Sequence, residues 1–201
     1  MAKFIITGRQ PLSGEIKVLG AKNAAIILIA AATLLGGKTV LENVPDILDI
    51  RKIKSILEKL GAKFSRENHK LTIDMTNLIN AEPDARLVGA IRASIILVGP
   101  LLARFGKVRI PHPGGCIIGP RPIDLHIWAF EKLGIKVKQN GDIYEFRKVE
   151  TLTKPVTIKF PHISVGATEN IILYAAVQDQ TIKIENAAVE PEVIDLIDFL
   201  K

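Results

Sequence analysis

The sequence predicts an α/β protein made of repeated units with the element order βαβαββ. Two amphipathic segments end in the same Leu-Gly pair, at 60–61 and at 133–134, and each is followed by two short stretches with strand character. A third region repeats the strand pattern of residues 39–43 at 181–186. Recurrence of whole strand and helix patterns along one chain is typical of an internally repeated fold.

The first unit has the clearest boundaries. A glycine-led apolar helix is predicted over residues 20–35, a strand over 37–41 and an amphipathic helix over 47–60. In the amphipathic helix, isoleucines and leucines recur at helical spacing, and glycine at its end is a common helix terminator. Two short strands then follow, at 63–65 and 71–74.

The second unit repeats this order, and the third repeats its beginning. In the second unit, helices are predicted over 92–103 and 123–133, and strands over 106–110, 136–138 and 143–146. In the third, a helix begins at 164–167, a strand covers 181–186, and a last helix begins near Pro191. That helix reaches Lys201 with no glycine cap and no closing strands, so we expect a fragment of a larger repeat protein.

Composition narrows the class of protein. Of 201 residues, 48% are hydrophobic and 24% are charged, which is ordinary for a soluble globular domain. The single cysteine rules out an internal disulfide and favours a reducing cytoplasm. The apolar run at 24–35 is too short to span a bilayer, and no secretion signal begins the chain.

The formal net charge of +6 favours an anionic ligand. Aromatic residues make up only 5% of the chain and do not alternate with basic ones, which argues against a nucleic-acid stacking surface. We therefore expect small anions rather than nucleic acid or membrane as partners.

The lone cysteine, Cys116, lies in a glycine- and proline-rich loop at 113–122 that also contains Arg121. A nearby guanidinium stabilises a thiolate and binds anions, although a lone cysteine is also often an inert buried residue. Asp124 and His126 allow nucleophilic catalysis, but the spacing matches no protease. His112, Cys116 and His126 form only a weak candidate metal site, because they lack paired short spacings.

Two cations begin apolar helices. Lys22 is either a surface lysine at a fold junction or one side of an anion site at a helix N-terminus. Arg92 either pairs with a carboxylate such as Asp84, extends to solvent, or points at a bound phosphate.

Two further helix starts carry polar residues. Ser164 is a candidate N-cap, and the small residues after it would also cradle a diphosphate. Glu190 and Glu192 flank Pro191 at the start of the last helix, where acidic residues suit the helix dipole.

Taken together, these stretches resemble the UDP-N-acetylglucosamine 1-carboxyvinyltransferases (the MurA family) among the enolpyruvyl transferases. The resemblance covers all 201 residues but only about the first half of the family's chain. The matching motifs are Gly20-Ala21-Lys22-Asn23-Ala24-Ala25, Ile91-Arg92-Ala93-Ser94, Pro113-Gly114-Gly115-Cys116, Arg121-Pro122-Ile123-Asp124-Leu125-His126, Ser164-Val165-Gly166-Ala167-Thr168 and Glu190-Pro191-Glu192.

The resemblance implies the enolpyruvyl transferase fold, an inside-out α/β barrel of two similar domains with three βαβαββ units each, here truncated. Residues 1–21 would belong to the other, largely absent domain. Residues 22–201 would form an incomplete catalytic domain whose third repeat is clipped. The shikimate-pathway relative of this fold has serines after the lysine, where this chain has Asn23-Ala24-Ala25.

The implied reaction transfers enolpyruvyl from phosphoenolpyruvate to the 3′-hydroxyl of UDP-N-acetylglucosamine and releases phosphate, without metal or organic cofactor. It is the first committed step of peptidoglycan synthesis. Cys116 would be the general acid and the fosfomycin target, and Lys22, Asn23 and Arg121 would bind phosphoenolpyruvate. The UDP-sugar would contact Arg92, Arg121, Pro122, Ile123, Asp124, Leu125, His162, Ile163, Ser164 and Val165.

Two departures from the family pattern change these expectations. His162 stands where relatives usually have lysine, which implies a weaker, pH-dependent diphosphate contact. The family's C-terminal half supplies an aspartate, several arginines and domain closure, so we expect little or no transferase activity from this chain alone. A separate C-terminal half is a possible partner. The alternatives are a non-catalytic UDP-sugar-binding remnant and a basic βαβαββ RNA-binding module.

Overall fold

The computed structural model describes residues 3–9, 11–114 and 122–201. Within these residues the α-helices are α1 (Lys22–Ala31), α2 (Leu48–Lys59), α3 (Ala85–Gly89), α4 (Val98–Phe105), α5 (Asp124–Lys132), α6 (Val165–Ala175) and α7 (Pro191–Leu200). The strands are β1 (Lys38–Leu41), β2 (Lys63–Glu67), β3 (Lys70–Asp74), β4 (Lys107–Pro111), β5 (Ile135–Asn140), β6 (Ile143–Lys148), β7 (Val156–Lys159) and β8 (Ile182–Glu185). Two 3₁₀ segments cover Ala32–Leu34 and Arg92–Leu97.

The internal repeat is visible in the sheets. The first two are antiparallel and three-stranded, in the order β1-β3-β2 and β4-β6-β5, and the third pairs β7 with β8 in parallel. Asn43 and Asn186 follow the equivalent strands β1 and β8, with φ angles of 55° and 56°. The predicted α/β repeat architecture is confirmed.

The strand that opens each βαβαββ unit is fully formed, within the described residues, only in the third unit. There β7 precedes α6 and pairs in parallel with β8. In the second unit, the corresponding edge of β4 bonds to the chain before α3 through one hydrogen bond. The Arg109 amide donates to the Ala81 carbonyl at 3.0 Å. In the described parts of the first two units, the order of elements is therefore αβαββ, without the opening strand.

The predicted helix over 92–103 is two helices. Residues Arg92–Leu97 wind as a 3₁₀ segment, and α4 begins at Val98. Pro100 is the reason, because it has no amide hydrogen for Ile96 and its ring would crowd that carbonyl in a continuous α-helix. The amides of the first turn of an α-helix have no hydrogen-bond partner within the helix, so a proline there loses no hydrogen bond. A new helix, α4, can therefore begin at Val98 with Pro100 in its first turn.

The sequence reasoning missed α3 and β7, which are only five and four residues long. Asp84 caps α3 through its carboxylate, which accepts from the amides of Arg86 and Leu87 at 2.9 and 3.2 Å. Val156 and Ile158 alternate with polar residues along β7, but such a short alternation is a weak signal.

The core lies among the helices. α1 is apolar all round and buried on nearly every side, whereas α2 buries one face through Ile50, Ile53, Ile56 and Leu57. Phe130 of α5 meets Phe146 and Tyr174 edge-on, at ring-centroid distances of 5.5 and 5.9 Å. The aromatic contacts join α5 to β6 and to α6.

The two three-stranded sheets differ in one row of surface charges. In the first sheet, Asp74 of β3 lies opposite Lys38 on one side and Lys63 on the other. In the second sheet the equivalent row has Arg147 in the centre, opposite Lys107 and Lys136. Like charges directly across a sheet repel, so the second row is intrinsically less favourable.

Residues 3–9 and 11–20 form no helix or strand and expose their large apolar side chains, among them Phe4, Ile6, Leu12 and Ile16. Assignment of residues 1–21 to another domain stays a prediction. Across the described ranges, 3–9, 11–114 and 122–201, no helix combines the length and apolar character that crossing a membrane requires.

Candidate active site

The candidate site is a cavity of about 640 Å³ where several helix starts converge. Its walls come from the first turns of α1, α5, α6 and α7 and from the 3₁₀ segment Arg92–Leu97. Residues proposed from the sequence that line this cavity are Lys22, Asn23, Arg92, Pro122, Asp124, Leu125, His162, Ile163, Ser164 and Val165.

Of the three remaining proposed residues, only Ile123 is among the described ones. Ile123 is 3% exposed and packs in the core. Cys116 and Arg121 fall within residues 115–121, outside the described part of the chain. Pro122 and Gly114, which flank that segment, are described, and Pro122 lines the cavity.

The start of α1 presents two polar side chains held by carboxylates. Lys22 Nζ lies 3.0 Å from Asp49 Oδ2 of α2, and Asn23 Nδ2 donates to Glu192 Oε1 of α7 at 3.0 Å. Ala21 at the N-cap position has no side chain that could satisfy the helix amides. The first turn of α1 therefore combines a cation, an amide and a positive helix end, which together suit an anion.

Arg92 links the 3₁₀ segment to the chain that enters α5. Its Nη2 donates to the Pro122 carbonyl at 2.9 Å. The Arg92 guanidinium thus holds Pro122, the first described residue after 115–121, and it places a positive charge on the cavity wall.

His126 of α5 is a neutral side chain in the cavity wall. It is 6% exposed, and burial, assisted by the Arg92 charge, lowers its pKa to about 4. Desolvation disfavours the charged imidazolium, so the ring carries one proton at neutral pH.

Asn170 of α6 determines where that proton lies. Its Oδ1 accepts from the Gly99 amide at 2.6 Å, and its Nδ2 faces the Ile95 carbonyl at 2.9 Å and His126 Nδ1 at 3.0 Å. A backbone amide can only donate, which fixes the orientation of the Asn170 amide and makes His126 Nδ1 an acceptor. The His126 proton is therefore on Nε2, and Nδ1 is not free to bind a metal.

No group of three histidine, cysteine, aspartate or glutamate side chains in the described ranges could hold a metal ion. His112, the other histidine of the weak metal hypothesis, has its Nδ1 3.0 Å from the Pro113 carbonyl and its ring tilted against Tyr144. His112 and His126 are thus both engaged in structural contacts.

The start of α6 forms the opposite wall. Ser164 is the N-cap, as predicted, and its hydroxyl accepts from the Ala167 amide at 3.4 Å. Gly166 lies against the His126 ring, and a Cβ there would come within 3.3 Å of Cε1. This close approach brings the helix end and the imidazole into the same part of the cavity.

Two cavity residues were missed by the sequence reasoning. Asp49, the Lys22 partner, sits in the first turn of an ordinary amphipathic helix, and nothing in the sequence singles it out. Glu169 is 8% exposed, and burial together with the charges of Glu192 and Glu190 raises its pKa to about 7. The polar run Thr168-Glu169-Asn170 within an apolar helix was the available signal for Glu169.

The sequence profile of EPSP synthase (3-phosphoshikimate 1-carboxyvinyltransferase) matches residues 6–201. A UDP-N-acetylglucosamine 1-carboxyvinyltransferase of Wolbachia pipientis wMel is 42% identical, over 100% of this chain and 49% of its own length. UDP-N-acetylglucosamine 1-carboxyvinyltransferase 2 of Carboxydothermus hydrogenoformans is 44% identical, over 100% of this chain and 47% of its own. The chain thus spans about half the length of the curated relatives it matches.

Solved structures share the fold. The enolpyruvyl transferase NikO from Streptomyces tendae superposes with a TM-score of 0.80 at 23% identity, covering 94% of this chain and 44% of NikO. EPSP synthase from Acinetobacter baumannii gives a TM-score of 0.68 at 16% identity, covering 90% of this chain and 42% of that protein. The agreement confirms the α/β architecture predicted from the repeats.

Proposed function

The chain belongs to the EPSP synthase family of carboxyvinyltransferases, and from that premise we propose that it forms one side of a site that transfers enolpyruvyl from phosphoenolpyruvate to the 3′-hydroxyl of UDP-N-acetylglucosamine. One observation carries the proposal. Ten residues assigned to these two substrates from sequence motifs line a single cavity, although they come from distant parts of the chain.

In this proposal, cations at the cavity hold phosphoenolpyruvate. Lys22, at the start of α1, and Arg121 hold its phosphate and carboxylate, and Asn23 hydrogen-bonds the intermediate. Preorganised positive charge offsets the charge of the substrate and of the transition state without reorganisation at the moment of reaction. Asp49 keeps the Lys22 ammonium in place, through the 3.0 Å contact, until an anion arrives.

The chemistry is addition followed by elimination. The sugar hydroxyl gives its proton to the aspartate that the C-terminal half would supply, and its oxygen bonds to C2 of phosphoenolpyruvate. Cys116 delivers a proton to the methylene carbon, C3, which gives a tetrahedral phospho-ketal. Loss of a proton from C3 then re-forms the double bond as phosphate leaves. Cys116 is the general acid of the first step, and fosfomycin would alkylate the same thiol.

The nucleotide-sugar lies along the other walls. Arg92 and the start of α5 contact it on one side, and His162 to Val165 contact it at the start of α6. The first turn of α6 suits a diphosphate because helix N-terminal amides favour anions. His162 takes the place of the usual lysine, and it makes that contact weaker.

We further propose a cytoplasmic protein of peptidoglycan synthesis, acting in cell-wall biogenesis, cell shape, the cell cycle and cell division. A separate C-terminal half would be its partner, and no metal, organic cofactor, nucleic acid or membrane takes part. The alternative is that the chain is a non-catalytic remnant that binds the UDP-sugar. That alternative predicts UDP-sugar binding but no phosphate release, even after the C-terminal half is added.

Substitution of Arg92 by alanine is expected to weaken UDP-N-acetylglucosamine binding about 10- to 100-fold, the value of a lost charge-assisted hydrogen bond. Isothermal titration calorimetry on the 201-residue chain measures this. Arg86→Ala, an exposed arginine of α3 outside the cavity, is the matched control. Equal affinity of the Arg92 and Arg86 variants would contradict the assignment of Arg92.

Phosphate release from phosphoenolpyruvate tests the reaction itself. We expect little or no release from this chain alone, with or without UDP-N-acetylglucosamine, because the proposed site needs groups from the other half. Adding that half should restore release to the wild-type chain but not to Cys116→Ala. Release by the isolated chain that requires both Cys116 and the UDP-sugar would show that it assembles a complete site.

A further inference from the structure

A lysine outside the cavity lining bonds to a short stretch of backbone beside the site. Lys52 of α2 is half-buried, and its Nζ donates to the Ala90 carbonyl, 38 positions away in the chain, at 2.7 Å. Among the described residues this is the one hydrogen bond or ion pair that Lys52 makes. A hydrogen bond from a charged donor is worth about 10- to 100-fold in an equilibrium constant, so it holds the Ala90 backbone against α2.

Residues 89–92, which include Ala90, are named here the anchor segment. Hydrogen bonds to its own neighbours in the chain fix its backbone. The Ile91 amide donates to the Val88 carbonyl at 3.2 Å, and the buried Ser94 hydroxyl donates to the Ile91 carbonyl at 2.7 Å. The anchor segment is therefore a well-fixed stretch of backbone that Lys52 joins to α2.

One end of the anchor segment contacts the chain just before residues 115–121. Gly114 lies so close to Gly89 that a Cβ on Gly114 would clash with the Gly89 carbonyl oxygen. The φ angle of Gly114 is outside the positive range that side chains avoid. Close approach of two backbones, rather than an unusual backbone angle, is therefore the reason that glycine is needed at position 114.

The other end of the anchor segment holds the chain just after residues 115–121. Arg92 Nη2 donates to the Pro122 carbonyl at 2.9 Å. Gly89 and Arg92 are only three positions apart, so both flanks of residues 115–121 meet one fixed stretch of backbone. Contacts at both flanks restrict the positions that are open to the residues between them.

We propose that Lys52 and Gly114 are positioning residues for Cys116. Lys52 fixes the anchor segment against α2, and Gly114 lets the chain before Cys116 lie directly on that segment. The inference rests on the proposed function for the role of Cys116 as general acid. A general acid must lie within hydrogen-bond reach of the atom that it protonates, so the placement of both flanks bears on the reaction.

The first test uses Cys116 itself as the reporter. It is the only cysteine of the chain, so a nitroxide spin label attaches to it without any substitution. The electron paramagnetic resonance spectrum of the wild type should contain an ordered component. In Lys52→Met, which keeps an apolar side chain and removes the donor, the ratio of ordered to mobile label should fall about 10-fold. Lys52→Arg keeps a charged donor and should restore the ordered component.

Lys54→Met is the matched control for this test. Lys54 is also half-buried on α2, but it pairs with Glu58 of the same helix at 3.5 Å. Its substitution should leave the spectrum of the label unchanged. Equal spectra for the wild type and Lys52→Met, or equal losses in the Lys52 and Lys54 variants, would overturn the positioning role of Lys52.

The second test substitutes the two sides of the glycine contact. Gly114→Ala places a methyl group against the Gly89 backbone, whereas a Cβ at Gly89 meets nothing within 4 Å. The label on Cys116 should therefore lose its ordered component in Gly114→Ala and keep it in Gly89→Ala. A wild-type spectrum in Gly114→Ala overturns the positioning role of Gly114.

A third test separates this inference from the proposed function. With the C-terminal half added, Gly114→Ala should lower kcat for phosphate release by about 100-fold, the effect of misplacing a reacting group by about 1 Å. Gly89→Ala should retain the wild-type kcat. Absence of release by the wild type would overturn the proposed function, and the spin label would still decide the positioning role. Wild-type kcat in Gly114→Ala, with its label mobile, would overturn the link between the position of Cys116 and the reaction.

Discussion

Replacing Asn170 by alanine is expected to lower the free energy of unfolding by about 3–5 kcal/mol. Asn170 is fully buried, and its amide bonds the Gly99 amide, the Ile95 carbonyl and His126 Nδ1. Alanine leaves all three groups buried without their partner, and each orphaned group costs about 1–3 kcal/mol before relaxation. Urea unfolding followed by circular dichroism measures the loss.

Asn80→Ala is the matched control for this prediction. The Asn80 side chain also accepts a backbone hydrogen bond, from the Glu82 amide at 3.0 Å, but at an exposed position. Water replaces that bond, so a loss below about 1 kcal/mol is expected. Similar losses at both positions would mean that the Asn170 network does not hold α4, α5 and α6 together.

Replacing Gly61 by alanine is expected to cost about 3–4 kcal/mol, the second large effect. Gly61 has a φ angle of +107°, which side chains rarely adopt. A Cβ there would also clash with the Asn77 carbonyl oxygen. That backbone is fixed, because the Ile79 amide donates to the Leu60 carbonyl at 3.0 Å, so the clash cannot be relieved by a side-chain rotation.

The internal repeat supplies the control in the same molecule. Gly134 occupies the equivalent position after α5 with a φ angle of +76°, and a Cβ there would meet nothing within 4 Å. Gly134→Ala should therefore cost only the backbone term, about 1–2 kcal/mol. Equal losses for the two glycines would show that the contact with Asn77 contributes nothing.

The sequence predicts the longer elements because their apolar residues repeat at a fixed period. α2 and α5 lie within one residue of the predicted helices at each end, and the strand pairs after them are present. α3 and β7 escaped prediction because five or four residues carry too little periodicity to stand out. Pro100 was visible in the sequence, and a proline inside an apolar helix is the signal for the division that the structure shows.

The cavity was predictable only in part. Motifs at the starts of α1 and α6 identified Lys22 and Ser164 as site candidates, because helix starts have recognisable chemistry. The partners of these residues come from other units of the fold, as Asp49 does for Lys22. The neutral state of His126 and the raised pKa of Glu169 arise from tertiary burial, which no local pattern encodes.

The row of charges across each three-stranded sheet has a consequence for how the two repeats respond to ionic strength. The Lys38–Asp74–Lys63 row attracts, whereas the cations of the Lys107–Arg147–Lys136 row repel one another. In the second row, Glu145 partly offsets this repulsion by pairing with Lys107 at 3.4 Å and with Arg147 at 2.9 Å. Dissolved salt screens either interaction beyond about 10 Å at 0.1 M and weakens it at shorter range. Added salt therefore weakens an attraction in the first sheet, whereas in the second sheet it weakens the repulsion along the row as well as the Glu145 ion pairs, so the two copies of one architectural unit differ in their response to ionic strength.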